Sequence, residues 1–132
     1  MSSLNTLIKD ADNFVSLKPV NLQSIQTAES QLELTFASEY KEYVLAFGAA
    51  SFNGKELTGI CESARLSVVS VTERARKIYP HFPKNVYVVE DLSFDHIFIT
   101  QDSYGKVYSY GPSDSGYQIA ESLQDYLFAG EQ

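Results

Sequence analysis

Residues 86–110, VYVVEDLSFDHIFITQDSYGKVYSY, alternate apolar and polar side chains over a length that suits extended chain and little else. In extended chain successive side chains point to opposite faces. Asp102-Ser103-Tyr104-Gly105 interrupts the alternation with a glycine where a hairpin turn calls for positive φ. The stretch predicts three strands, over 86–90, 96–101 and 106–110, joined as an antiparallel meander with one face on helices and an acidic face toward solvent.

The preceding residues supply helices. Leu4, Leu7, Ile8, Ala11 and Val15 recur at helical spacing, which predicts a short amphipathic helix before the break at Lys18-Pro19. Asn21 is placed to cap a second helix with Leu22, Ile25, Ala28 and Leu32 as its stripe. Glu29, at the edge of that stripe, is expected to bond backbone where two helices meet. Ser38 is expected to cap a third helix, with Glu39 in its first turn, Tyr40, Tyr43, Val44 and Phe47 buried, and Gly48 closing it. Asn53-Gly54 predicts a hairpin between strands near Ser51 and over 57–60. LSVVSV reads as a further extended run, Thr72 as the cap of a short helix ending at Tyr79 before Pro80, and YPHFP as a loop. PSDSG reads as a turn, and Ala120, Leu123, Tyr126 and Leu127 as a closing helix. Helices, then strands, then a helix, without regular alternation, predict an α+β domain spanning 1–132, its mostly antiparallel sheet flanked by N-terminal helices and a C-terminal helix.

A chain of 132 residues, 44% hydrophobic, can bury a core without staples. Its lone cysteine, Cys61, has no partner for an intramolecular disulfide, which fits a reducing compartment. MSSLNTLIKDADNF lacks the basic-then-apolar pattern of a secretory signal, and no run reaches the length of a membrane span, so a cytoplasmic protein is expected. A net charge of −7 argues against direct binding to nucleic acid or to anionic membrane. The charge is unevenly spread: residues 1–85 hold nine acids and nine bases, and residues 86–132 hold eight acids and one base, Lys106. Such asymmetry is a cue for an interaction surface, here one suited to a basic partner, with a solubilising surface that serves no particular partner as the alternative.

Asp95-His96 looks like a base with its orienter or like a pair of metal ligands, but neighbours in a strand point to opposite faces. His96 and Asp102 would share a face roughly 20 Å apart, beyond any common coordination sphere. Nucleophilic catalysis would have to draw on Cys61 or a serine with His81 or His96, yet GxSxG, HExxH, GxxxxGK[ST] and GxGxxG are all missing. No catalytic, metal-binding or cofactor-binding residue is assigned. Tyr87, Tyr104, Tyr108, Tyr110 and Tyr117 crowd the acidic third; Tyr87, Tyr108 and Tyr110 suit packing in strands, and Tyr104 suits exposure at a loop tip. The candidate partner-binding residues are Glu90, Asp91, Asp95, Asp102, Tyr104 and Asp114.

The succession IQTAESQLELTFASEYKEYVLAFGAASFNGKELTGI, VVSVTERARKIYP, the meander stretch and SLQDYL resembles the SUKH superfamily, bacterial toxin-immunity proteins, YobK-like members among them, related to fungal cell-wall assembly regulators. The resemblance covers nearly the whole chain. It departs at Leu34-Thr35 where Leu-Gly is usual, at Phe36-Ala37 where Leu-Pro is usual, and at Phe94-Asp95 where Gly-Asp is common. The resemblance implies helices packed on a mostly antiparallel sheet, no catalysis, and tight binding to a cognate polymorphic toxin, often a nuclease. A non-enzymatic regulatory or scaffold module of the same fold is the alternative. The family's partner-binding face varies, so the resemblance carries no contact residue over to this chain.

Overall fold

Three helices open the chain: α1 (Ser3–Asp10), α2 (Leu22–Leu32) and α3 (Ser38–Phe47), the first two separated by the two-residue strand β1 (Val15–Ser16). Strands β2 (Ala50–Phe52) and β3 (Lys55–Glu56) pair across Asn53-Gly54, and helix α4 (Val68–Ile78) follows. The meander is β4 (Val86–Leu92), β5 (Ile97–Asp102), β6 (Val107–Gly111) and β7 (Asp114–Ala120), and α5 (Leu123–Phe128) closes the fold. The computed structural model describes residues 3–92, 96–112 and 114–128. Both sheets are antiparallel, in the orders β1-β2-β3 and β4-β5-β6-β7.

Local chemistry explains most of the boundaries. Asn21 Oδ1 accepts the Ser24 N–H at 2.9 Å and caps α2. Glu29 Oε2 accepts the Phe36 N–H at 2.9 Å, so this carboxylate ties the α2–α3 connection as expected. The first helix is shorter than its apolar spacing suggests. It ends at Asp10, and Asn13 turns through a left-handed φ of 59° that sends Val15 into β1 against Ser51. Leu22 stands exposed, leaving Ile25, Ala28 and Leu32 as the buried stripe of α2. Ser38 is the first residue of α3 rather than its cap, and β3 is confined to Lys55–Glu56 rather than 57–60.

Two readings of the sequence are corrected outright. LSVVSV is helical from Val68 onward, with Ser67 Oγ accepting the Ser70 N–H at 3.3 Å; Val68, Val71, Thr72 and Ala75 form the buried face. Ala120 ends β7, and α5 begins only at Leu123.

The third correction concerns the meander, whose second face is covered along β4 and β5 rather than open to solvent. Tyr87, Val89, Ile99 and Val107 join the main core with α1, α2, α3 and α5. Val86, Val88 and Phe98 point the other way, into a second cluster with Val71, Ala75 and Phe82. Alternation along β4 and β5 therefore divides residues between two cores.

The main core is joined by tyrosine hydroxyls. Tyr87 accepts the Ala37 N–H at 3.0 Å and donates to Gln101 Oε1 at 2.8 Å. Tyr43 accepts the Ala50 N–H and donates to the Thr58 carbonyl, both at 2.9 Å. Tyr40 lies 2.9 Å from Thr58 Oγ1, which donates to the Val88 carbonyl at 2.7 Å, while the Thr58 N–H bonds the Val89 carbonyl at 2.9 Å. Thr58 thus ties the segment after β3 to β4, and every polar atom that these rings carry inward has a partner.

Glu39 fixes the last helix. Its carboxylate accepts Gln101 Nε2 and the N–H groups of Leu123 and Gln124 at 2.8–3.0 Å, so a first-turn acid of α3 also caps the N-terminus of α5.

Candidate protein-binding edge

The six acidic and aromatic candidates do not form one face. Glu90 is 5% exposed, accepts the Tyr126 hydroxyl at 2.6 Å and pairs with Lys55 Nζ at 3.6 Å. Lys55 also lies 5.2 Å from the centroid of the Tyr126 ring. Burial, and then the neighbouring Glu90 charge, push the Tyr126 phenol up. Asp91 faces α4 and pairs with Arg74. Asp95 lies outside the described residues.

Asp102 is 7% exposed and turns back into its own hairpin. Its Oδ1 accepts the N–H groups of Tyr104 and Lys106 at 2.9 and 3.0 Å, and its Oδ2 accepts the Tyr108 hydroxyl at 3.0 Å. The carboxylate is consumed in shaping the turn. That turn carries Tyr104, 88% exposed, at its tip. Asp102 thus fixes the backbone of a turn whose tip residue, Tyr104, stands in solvent.

Asp114 opens β7, the outer strand of the four-stranded sheet. Along it Tyr117 is 54% and Ile119 37% exposed, with Gln118 exposed between them. The register Val107↔Ala120 brings the end of β7 beside the β5–β6 turn, and a Cβ placed on Gly105 would stand 3.9 Å from the Glu121 carbonyl oxygen. Tyr104, exposed Glu121 and the Tyr117-Gln118-Ile119 run therefore belong to one end and edge of the sheet. From residue 107 to 132 the chain holds four acids and no base.

Tyr117 stood out in the sequence only as one of several tyrosines; Ile119 and Glu121 did not stand out at all. Strand β7 was hidden because DSGYQIA opens with an Asp-Ser-Gly turn signal and leaves only the four residues YQIA after it. The usable clue was GYQIA following a turn after a strand, which extends a meander by one more strand.

An open groove of about 910 Å³ lies between the β2–β3 turn and α4. Its ionic walls are the pairs Lys55–Glu90, Arg65–Glu56 and Arg74–Asp91, so each cation along it already faces a carboxylate. His96 also lines it, in a left-handed turn whose carbonyl accepts the Tyr79 hydroxyl at 2.6 Å. Among the described residues no group of three or more His, Cys, Asp or Glu side chains is gathered to hold a metal ion, and no helix is long and apolar enough to cross a membrane.

Among the described residues two antiparallel sheets and five helices make a mixed α+β domain. The chain belongs to the SUKH superfamily: the family SUKH_5, described as SMI1-KNR4 cell-wall, matches residues 2–129. This family is generally non-catalytic. No curated protein matches the chain. Among solved structures it is similar to a protein from Pseudomonas syringae pv. tomato, with a TM-score of 0.73 and 14% identity over 93% of this chain and 96% of that one. At that identity the likeness speaks for the fold alone.

Proposed function

We propose that this protein is an immunity-type binding protein that neutralises a cognate toxin by direct contact, without catalysis. Membership of the SUKH superfamily supports the class of function. The single observation that carries the contact reading is Tyr104, 88% exposed on a turn locked by a buried carboxylate, beside the acidic, aromatic edge of β7. An exposed aromatic on a backbone already fixed by its turn can make contact without first ordering the main chain, which suits an interface anchor. A basic toxin, a nuclease for instance, would be steered by the acids of residues 107–132.

The test is co-expression with products of neighbouring reading frames, scored for toxicity, rescue and co-purification. Rescue by the wild-type chain, weakened by Tyr104→Ala and by Glu121→Lys, is the expected result. Rescue that survives both substitutions would move the contact elsewhere, and no rescue from any neighbouring product would remove the immunity role. The SMI1-KNR4 cell-wall description of the family favours a second reading, a regulatory or scaffold module binding a cellular partner. Such a module would co-purify with a partner yet protect no cell.

A further inference from the structure

We propose that the free edge of β7 receives an extended, Lys- or Arg-bearing segment of the partner protein as a fifth strand of the four-stranded sheet. This rests on the protein-binding reading above and adds to it the mode of contact and the kind of segment recognised. Among the described residues β7 pairs on one side only, with β6. Neighbouring strand residues point to opposite faces, so exposure of Tyr117, Gln118 and Ile119 in succession means that this run is uncovered on both. An open strand edge presents unpaired N–H and C=O groups, which folded proteins guard with lysine, proline or bulges. DSGYQIA contains neither lysine nor proline. It does carry register shifts on either side of the pairs Tyr108↔Gln118 and Ser109↔Tyr117, and Gly116 at a φ of 104° lies at one of them. A guest strand would therefore engage a short register, and selectivity would fall to the side chains flanking it.

Charge chooses the occupant. Asp114 opens the strand and Glu121 follows it, with no base between residue 107 and the end of the sequence. A second copy laid antiparallel on β7 would bring another stretch of four acids and no base, residues 107–132, to the same end of the sheet, where like charges oppose each other. A segment with Lys or Arg at alternate positions would bring cations there instead, while its backbone completed the ladder. The exposed rings of Tyr104 and Tyr117 offer faces on which such cations can rest.

Hydrogen exchange of the full chain in the presence of two capped peptides, one alternating Lys with Thr and one alternating Glu with Thr, decides the matter. The Lys peptide is expected to slow exchange of amides within 114–120 by about tenfold or more at saturation, and the Glu peptide to leave them unchanged. Tyr117→Lys combined with Ile119→Lys, two exposed sites, should abolish the protection while melting as cooperatively as the wild type. Protection elsewhere with β7 unchanged, or equal effects of both peptides, would overturn the proposal. So would sedimentation showing a dimer whose β7 amides are already protected without peptide, since the occupant would then be a second copy. If the double variant loses the peptide effect but still rescues toxin-producing cells, strand addition is refuted as the toxin contact and the immunity reading stands. If the wild-type chain passes the peptide test yet rescues no cell, the edge site stands and the immunity reading falls.

Discussion

At Asp102 the chain keeps a charged side chain out of solvent to fix five residues of backbone. Its position at the head of Asp-Ser-Tyr-Gly is an Asx-turn pattern, legible in the sequence as a turn signal. What the sequence hid was which of two uses the carboxylate served, contact or scaffold, because an acid at a strand end suits either. Asp102→Asn retains the size but exchanges one acceptor oxygen for a donor, so the three incoming bonds cannot all persist. The variant is expected to lose about 1–3 kcal/mol of stability and to exchange the Tyr104 and Lys106 amides faster. A melting curve and turn exchange rates equal to those of the wild type would show that the carboxylate does not hold the turn. Tyr87→Phe makes the complementary case in the core. It leaves the Ala37 N–H, now paired at 3.0 Å, without an acceptor in a buried place. The expected cost is again about 1–3 kcal/mol, measured by urea denaturation with an unchanged m-value.

Elements meet closely where glycines allow it. A Cβ built on Gly59 would stand 1.8 Å from the Gly48 carbonyl oxygen, the same oxygen that accepts the Ile60 N–H at 2.9 Å. Gly59→Ala must push apart the end of α3 and the segment that leads from β3 to α4, and is expected to cost more than about 2 kcal/mol, enough to lower the melting temperature by several degrees. An unchanged melting temperature would mean that this approach relaxes freely. The elements themselves were legible wherever local signals agreed: the Asn21 cap with its stripe on α2, the tyrosine face of α3, Asn53-Gly54, and three strands of the meander. They misled where propensity and tertiary position disagreed. Val68, Val69 and Val71 are β-branched and read as strand, but Ser67 caps them into a helix whose apolar face lies over β4. The outward face expected of the meander was lost for the same reason, since that helix covers it.

At the scale of the molecule the uneven charge is partly cancelled by folding. Lys55 and Arg74, both from the balanced first 85 residues, meet Glu90 and Asp91 of the acidic third. What a linear count presents as one acidic region is therefore divided, and the stretch from residue 107 onward keeps acids without a base of its own. The core has its own titratable feature. Burial pushes the phenols of Tyr40, Tyr43 and Tyr87 well above the ordinary value of 10.0, chiefly because a phenolate there would lose its water. Below pH 10 both folded and unfolded chains keep these three protons, and the stability they allow is present in full. Above it the unfolded chain releases them while the folded chain does not, so stability falls as pH rises toward the folded-state values. Three such groups give a slope of up to about 4 kcal/mol per pH unit, which a domain holding roughly 5–15 kcal/mol can survive for only a few units. An alkaline titration followed by tyrosinate absorbance and circular dichroism should show at least three of the nine tyrosines ionising only as the secondary structure is lost. If all nine ionise while the dichroism stays native, these hydroxyls reach solvent in the folded protein and the tyrosine links between α3 and the two sheets are looser than their hydrogen bonds indicate.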